Sequence, residues 1–412
     1  MPSSVSGLKG KTVAVVGFNA RPLACSAKRA GAEVLVSDYW GDDDLSTCCD
    51  DWVAVLTPTP GHRQRQPLDA PLHVILVDNL VHLLGERTPD YIFVGSGFDD
   101  HPESLTPIET TYGLQGNGIS QFMNARNKNK LAQLCEDHRI DYPKSRKFSS
   151  IGKFIQYCKS MPYPCIVRPS TSGGGSGITL VRNNDEARVA FQRINGEDQD
   201  KPVIAQQYVR GIDISTSVLS TGHHAITLSL QGQLIGMPSA GRNCDFVYCG
   251  NYMPLGVSQS VSSKLRKISE SLCVELGLNG SNGVDFVLDM DQNIWLMEVN
   301  PRFQGTLEML EVSGKCSVSS LHCDALRDNL PSTLPDFKPS VKMILYSQKT
   351  GAVPDLSLYP NTVDRTPPGV QVQKNDPICT IIETNGELKD CYRRVSATAI
   401  QIQRGIQSIS DS

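Results

Sequence analysis

Residues 283–309 read GVDFVLDMDQNIWLMEVNPRFQGTLEM. The first eight alternate apolar and polar, with β-branched and aromatic side chains, which predicts a strand. DQN is turn chemistry, and NIWLMEVN is the returning strand of a hairpin. Side chains two apart share a strand face, so Glu298 and Asn300 point the same way. Asp285 on the partner strand can lie beside them. Two carboxylates and an amide oxygen make a hard oxygen set that suits Mg²⁺ with phosphate. Pro301 stops the strand and leaves Arg302 at its end. A divalent ion beside a fixed guanidinium suits a site that handles phosphoryl or acyl-phosphate charge. A solvated acidic turn is the competing reading, and the hairpin alone leaves the two even.

Working outward, 412 residues hold two or three domains with sizeable cores. A net charge of −4 gives no basic field for nucleic acid. No apolar run is long enough to span a bilayer. The start, MPSSVSGLKGKTVAVVGFN, lacks the pattern of a secretory signal. The 13 cysteines are scattered: only Cys48 and Cys49 are adjacent, no CxxC occurs, and Cys316, His322 and Cys323 match no zinc spacing. The expectation is a cytoplasmic chain with reduced, mostly buried thiols.

Residues 11–38 read strand, helix, strand, a βαβ unit of the nucleotide-fold type with Asp38 at the end of its second strand. The turn is GFNARP rather than GxGxxG, so a dinucleotide pyrophosphate is not expected there and the role is architectural. A helix at 74–85, a buried strand at 91–95 and a short strand ending in the LQGN turn at 114–117 complete an N-terminal parallel α/β domain, residues 1–120. A single helix is expected over 124–138, with Lys128 and Lys130 near its start. There lysine gains nothing from the macrodipole, and a phosphate partner is the functional alternative to a solvated face.

The second strong signal is 163–182, YPCIVRPSTSGGGSGITLVR. A strand carrying Arg168 enters a loop with Ser170, Gly173, Gly174, Gly175 and Gly177, and a second strand leaves it. Such glycines let backbone amides fold over phosphates, and Arg168 can pair with phosphate oxygens. A strand over 203–209 (VIAQQYV) runs through Gly211 into another at 212–220, with Asp213 just past the glycine. Residues 225–237 read as a hairpin turning at Gly232, and 263–276 as a helix that leads into the opening hairpin. Residues 340–402 carry strand signals at 342–346 and 378–383, and the polar end, RGIQSISDS, is expected to fray.

That order of elements resembles the ATP-grasp superfamily, in which two α+β lobes clamp Mg-ATP between a glycine-rich flap and a metal-binding hairpin. The LQGN turn and the VPDL…DRTPPG…DPICTII run are similar to its predicted ATP-dependent carboligase group, a carboxylate–amine ligase type. The tail is similar to the small β domain of the biotin carboxylase-like branch. The resemblance implies an α/β domain, a two-lobe grasp domain over 121–330 (flap lobe 121–205, metal lobe 206–330) and a small β-rich domain over 331–412. It implies Asp285, Glu298 and Asn300 as Mg²⁺ (or Mn²⁺) ligands, and Arg302 as stabiliser of the acyl phosphate or its adduct. Lys128, Arg168, Ser170 and Gly173, Gly174 and Gly175 fall on phosphates. Gln206, Gln207, Tyr208 and Val209 form the adenine hinge, and Asp213 the ribose acid. Arg242 and Asn243 fall in the region that faces the acceptor. Two positions depart from the pattern: Arg168 stands where lysine is usual, and Gln207 where a hinge glutamate is common. Arginine adds a bidentate fork and is no silent replacement.

The implied activity is an ATP-dependent ligase joining a small-molecule carboxylate to an amine or thiol through an acyl phosphate, releasing ADP and phosphate. Its partners are small molecules, with no nucleic acid or membrane, and a homodimer is the assembly to look for. A biotin-carboxylase-like reaction through carboxyphosphate and a non-catalytic ATP-binding module are the alternatives.

Overall fold

The computed structural model describes residues 7–171, 173–196, 201–242 and 246–407. β1 (Thr12–Gly17), α1 (Arg21–Arg29), β2 (Glu33–Asp38), β3 (Asp51–Ala54), α2 (Leu72–Leu84) and β4 (Tyr91–Val94) build a parallel sheet of order β3-β2-β1-β4. Its apolar strands are buried on both faces. Val13, Val15, Val34, Val36 and Phe93 join one core, and Ala14, Val16, Leu35, Ile92 and Val94 the other. α2 covers the second face. The first is covered by α1 together with residues 303–323 from far along the chain.

α3 (Thr106–Tyr112), α4 (Ile119–Arg126) and α5 (Lys128–His138) follow. Residues 114–117 form the connection between α3 and α4, not a strand end. Gly113 and Gly116 both take positive φ there. The side chains of this connection are used as ties. Gln115 Oε1 accepts the Ile92 amide at 2.7 Å. Asn117 Nδ2 donates to Asn282 Oδ1 at 2.7 Å and to the Pro301 carbonyl at 3.0 Å. The helix expected over 124–138 is broken at Asn127, whose side chain accepts from the amides of Asn129 and Lys130. Asparagine is a strong N-cap, so Lys128 opens a new helix with its first amides satisfied.

A four-stranded antiparallel sheet, order β5-β8-β6-β7, contains β5 (Ser145–Phe148), β6 (Cys165–Pro169), β7 (Thr179–Val181) and β8 (Val203–Gln207). Strand alternation sorts its residues. Cys165, Val167, Val203 and Ala205 pack beneath α6 (Ile151–Ser160) and α7 (Asn184–Asn195), which turns Ile166, Arg168, Ile204 and Gln206 to the other face.

The remaining strands are β9 (Gly211–Thr221), β10 (Ala225–Ile235), β11 (Tyr248–Met253), β12 (Asn279–Asp289), β13 (Ile294–Asn300), β14 (Ser340–Tyr346), β15 (Gly351–Ala352), β16 (Thr362–Val363), β17 (Gln371–Val372) and β18 (Pro377–Thr384). Eight of them form one sheet, order β13-β12-β9-β10-β11-β14-β18-β16. α8 (Gln259–Glu275) backs β9, β10 and β12. β10 runs straight through Gly232 where a hairpin was expected. A Cβ there would sit 2.0 Å from the Tyr252 ring, so the glycine admits a cross-strand aromatic rather than making a turn. α9 (Leu307–Gly314) and α10 (Val318–Ala325) reach back to the first sheet.

The C-terminal strands continue the large sheet, and α11 (Leu388–Gly405) covers them with Cys391, Val395, Ala399 and Ile402 at helical spacing. The β-rich reading overlooked this helix. The expected fraying also needs correction: Ile406 is buried and Gln407 pairs with Ala352, while 408–412 lie outside the described residues. Cys25 and Cys48 are bonded, with Cα atoms 4.4 Å apart, so the expectation of reduced thiols fails for that pair. Among the described residues no helix is long and apolar enough to cross a membrane.

His322 of α10 ties three segments together. Its Nδ1 accepts the Ser281 amide at 2.9 Å, and its Nε2 lies 3.2 Å from the Gln115 carbonyl. An accepting Nδ1 makes Nε2 the protonated nitrogen of a neutral ring. Burial pushes this histidine down to about 4, partly offset by the Gln115 carbonyl. The unfolded chain therefore takes up a proton first as pH falls below the ordinary histidine range, and stability declines with it. Wild type should lose about 2 kcal/mol more than His322→Gln between about pH 7.5 and about pH 5, measured by urea unfolding. Parallel stability profiles for the two proteins would contradict this.

Candidate active site

The β12–β13 hairpin carries the centre of the site. Asp285 lies opposite Glu298, and Gly283 opposite Asn300. The register shifts just after Asp285, so Phe286 faces Leu296. That irregularity lets Phe286, Leu296 and Val299 all enter the core while Asp285, Glu298 and Asn300 share the outer face. On the neighbouring strand Asp213, Ser215 and Ser217 pair with Val287, Asp285 and Gly283, which places Asp213 and Asp285 on one row of β9–β12 partners.

Asn300 Nδ2 donates to Asp285 Oδ2 at 3.0 Å, and Asn300 Oδ1 accepts from Arg302 Nη2 at 3.3 Å. Among the described residues Asp285 Oδ1 is buried without a hydrogen-bond partner. Burial, and then the charge of Glu298, push the Asp285 carboxyl up to about 7, against the pull of the adjoining Ser215, Arg302 and Asn300. Two carboxylates forced onto one patch with an orphaned oxygen fit a hard divalent cation, which would relieve both. Among the described residues no group of three or more His, Cys, Asp or Glu side chains could hold a metal. The set here is two carboxylates and an amide, which leaves coordination places for phosphate oxygens and water.

Arg302 Nε donates to both carboxylate oxygens of Asp99, each at 2.9 Å. Arg126 donates to Glu298 Oε1 and to the Asp99 carbonyl. Asp99, Asp100 and Arg126 were not anticipated from sequence. A signal existed: GFDD follows β4 at the carboxyl end of a parallel sheet, where open α/β folds place ligands.

Arg168 projects from β6 and donates Nε to Gln206 Oε1 at 3.1 Å. Burial lowers its pKa, while Glu298 and Asp100 raise it. Lys128 Nζ lies 3.5 Å from Ser145 Oγ, and burial followed by the charges of Arg168 and Lys147 pushes it down to about 8. None of these three cations makes an ion pair among the described residues. The flap docks on the large sheet: the Tyr248 amide donates to the Gly174 carbonyl at 3.0 Å. At Gly175, φ is +79° and a Cβ would stand 1.8 Å from the Phe246 carbonyl oxygen. Ser170 donates its amide to the Pro202 carbonyl, and Gly173 has open space around its Cα.

A cleft of about 580 Å³ is lined by Tyr163, Leu180, Gln207, Tyr208 and Arg210 among others. Gln207 is bound at both ends to the backbone of Lys144, by its amide at 2.8 Å and its side chain at 3.4 Å. Val209 is half-buried beside it. Burial pushes Asp213 up to about 6. The Arg242 guanidinium lies 5.4 Å from the centre of the Tyr346 ring, whose hydroxyl donates to the Tyr248 carbonyl at 2.8 Å. Asn243 lies outside the described residues. Asp38 is consumed by the fold, accepting the amides of Ala20, Trp40 and Gly41.

Residues 125–306 match the family model described as the ATP-grasp domain. An uncharacterized protein of Methanocaldococcus jannaschii is 25% identical over 371 residues, 89% of this chain and 87% of that one. The L-amino acid ligase of Bacillus licheniformis is similar in fold, with TM-score 0.71 and 16% identity over 98% of this chain and 99% of that chain. So is the biotin carboxylase domain of the Hydrogenobacter thermophilus 2-oxoglutarate carboxylase, with TM-score 0.71 and 14% identity over 95% of this chain and 89% of that chain.

Two outcomes are expected. Gly175→Ala should weaken nucleotide binding about tenfold, equivalent to ~1.4 kcal/mol, with little change in melting temperature. Unchanged affinity by calorimetry would show that the flap does not close on phosphate. Lys128 is charged below about pH 8 and neutral above it. ADP affinity should therefore fall as pH rises through that value, and Lys128→Arg should flatten the profile; equal slopes would contradict the assignment.

Proposed function

We propose that this chain, whose residues 125–306 form an ATP-grasp domain, binds Mg-ATP and spends it to activate a small-molecule carboxylate for attack by an amine or thiol. One observation carries the reading. Lys128, Lys147 and Arg168 lie close enough for the last two to lower the Lys128 pKa, and among the described residues none of the three forms an ion pair. Convergent unpaired cations call for a polyanion, and the Asp285–Glu298 pair calls for a divalent cation. Mg²⁺-bound triphosphate satisfies both demands. The Hydrogenobacter neighbour was crystallised with Mg-ADP and bicarbonate, which agrees with that ligand class.

A carboxylate oxygen is a poor leaving group. Transfer of the γ-phosphoryl group onto it gives an acyl phosphate and ADP, and nucleophilic attack at the carbonyl then expels phosphate. Arg168, Lys128 and the flap amides hold the phosphates in line. Asp285, Glu298 and Asn300 would hold Mg²⁺, which when bound offsets the charge on the transferring phosphoryl group. Arg302 retains donor capacity after its bonds to Asp99, Asn300 and Phe303, and would meet the oxyanion of the tetrahedral adduct. Gln206 to Val209 would receive the adenine, and Asp213 the ribose.

The test is an ADP-release screen with Mg-ATP against panels of acids and amines, with Glu298→Ala as the blank. Release that needs both an acid and an amine or thiol, and that is lost in the blank, is the expected result. AMP as product, or release surviving in Glu298→Ala, would overturn the reading. Release supported by bicarbonate as the sole acid would replace it with carboxylation through carboxyphosphate.

A further inference from the structure

Ion pairs, hydrogen bonds and one cross-strand pairing around the hairpin close into a ring. Glu298 is bound by Arg126, and Arg126 also grips the Asp99–Asp100 turn. Its Nε donates to the Asp99 carbonyl at 3.2 Å, and its Nη2 and Nε lie 3.7 and 3.9 Å from the Asp99 and Asp100 carboxylates. Asp99 receives Arg302, Arg302 donates to Asn300, and Asn300 donates to Asp285. Asp285 is in turn the cross-strand partner of Glu298.

We infer that Arg126 and Asp99 are the positioning pair of this site: they fix Glu298 relative to Arg302, and so set the spacing between the metal end and the acyl end of the cleft. This rests on the Mg-ATP reading above.

Three features of the ring support a positioning role. First, it leaves the right atoms open. Arg126 takes Glu298 through Oε1 only, and Oε2 makes no hydrogen bond among the described residues; Asp285 Oδ1 is likewise unpartnered. A ring that merely neutralised the carboxylates would occupy those oxygens. Second, both members are held from elsewhere. Arg126 is the last residue of α4, where the chain breaks before the Asn127 cap, and Asp99 follows β4 at the carboxyl end of the first sheet. Third, of the two routes round the ring from Glu298 to Arg302, the one through Asp285 and Asn300 stays within the hairpin, and the one through Arg126 and Asp99 ties both residues to elements outside it. Groups that orient a metal ligand act through its affinity for metal, which makes the role measurable before any acid or amine is known.

Mn²⁺ serves as the probe, with ADP, by calorimetry and by the electron paramagnetic resonance of bound Mn²⁺. Arg126→Gln should weaken Mn–ADP binding by about 10- to 100-fold while metal-free ADP affinity stays unchanged, and Arg126→Lys should recover part of the loss. Asp99→Asn should weaken it less. The double variant should be no weaker than Arg126→Gln alone, because both act through one chain. A packing role would shift the melting temperature and leave Mn²⁺ affinity alone. Mn–ADP affinity equal to wild type in both single variants would overturn the inference. Tighter binding in Arg126→Gln would do so too, since it would mean that Arg126 competes with the cation. Wild type that binds no Mn–ADP would overturn the Mg-ATP reading and this inference with it; wild-type binding with unaffected variants overturns this inference alone.

Discussion

One buried guanidinium holds three distant parts of the chain together. Arg21, at the start of α1, is 1% exposed. It donates to Asp364 at 2.6 Å and forks onto both oxygens of Glu308, with Asp44 at 3.5 Å. Asp44 then accepts the amides of Asp364 and Arg365. The first sheet, the helix after the Arg302 loop and the C-terminal segment therefore meet at a single charge. Removing one partner from such a buried set costs about 3–5 kcal/mol, because the remaining charges are left in low dielectric. That is a large share of the ~5–15 kcal/mol by which folded proteins are stable.

The candidate site depends on that junction. Asp99 belongs to the first sheet, and Arg302 to the loop between β13 and α9. They meet because Arg21 and Glu308 hold α1 against α9, while Asn117 bonds to Asn282 and the Pro301 carbonyl. Lys342, also buried, donates to the Gly305 carbonyl at 2.6 Å and steadies the same loop from β14. The N-terminal and C-terminal parts thus shape the site from outside the residues that match the ATP-grasp domain.

The cleft itself is a separation of charge. Cations without an ion-pair partner among the described residues gather on the four-stranded sheet and α5, and crowded carboxylates on the β12–β13 hairpin. Each group is costly alone: burial pushes Lys128 down to about 8 and Asp285 up to about 7. On the proposed function, a metal-bound polyphosphate between them would relieve both at once, and its affinity would come from cancelling costs that folding has already imposed.

Part of the hairpin was legible in the sequence: a period of two places Glu298 and Asn300 on one face, whereas Asp285 joins them through the register of the β12–β13 pairing, which shifts just after it. The flap, the first βαβ unit and the strand that carries Arg168 into the flap followed from the same local rules. Local pattern failed where a residue's reason lay elsewhere in the chain. Gly232 looks like a turn until Tyr252 is seen across it, and the 124–138 helix looks continuous until Asn127 is seen capping. α11 has helical spacing that the β signals beside it obscured. Asp99 and Arg126 could not be paired with residues 298–302 by any periodicity, because the ring they complete joins positions far apart in the chain. The sequence by itself determined which side chains of a regular strand share a face, because backbone geometry alone sets that. Only the tertiary structure decided which faces meet, because burial of Arg21 and docking of the first sheet on α9 and α10 depend on contacts the chain makes only once folded.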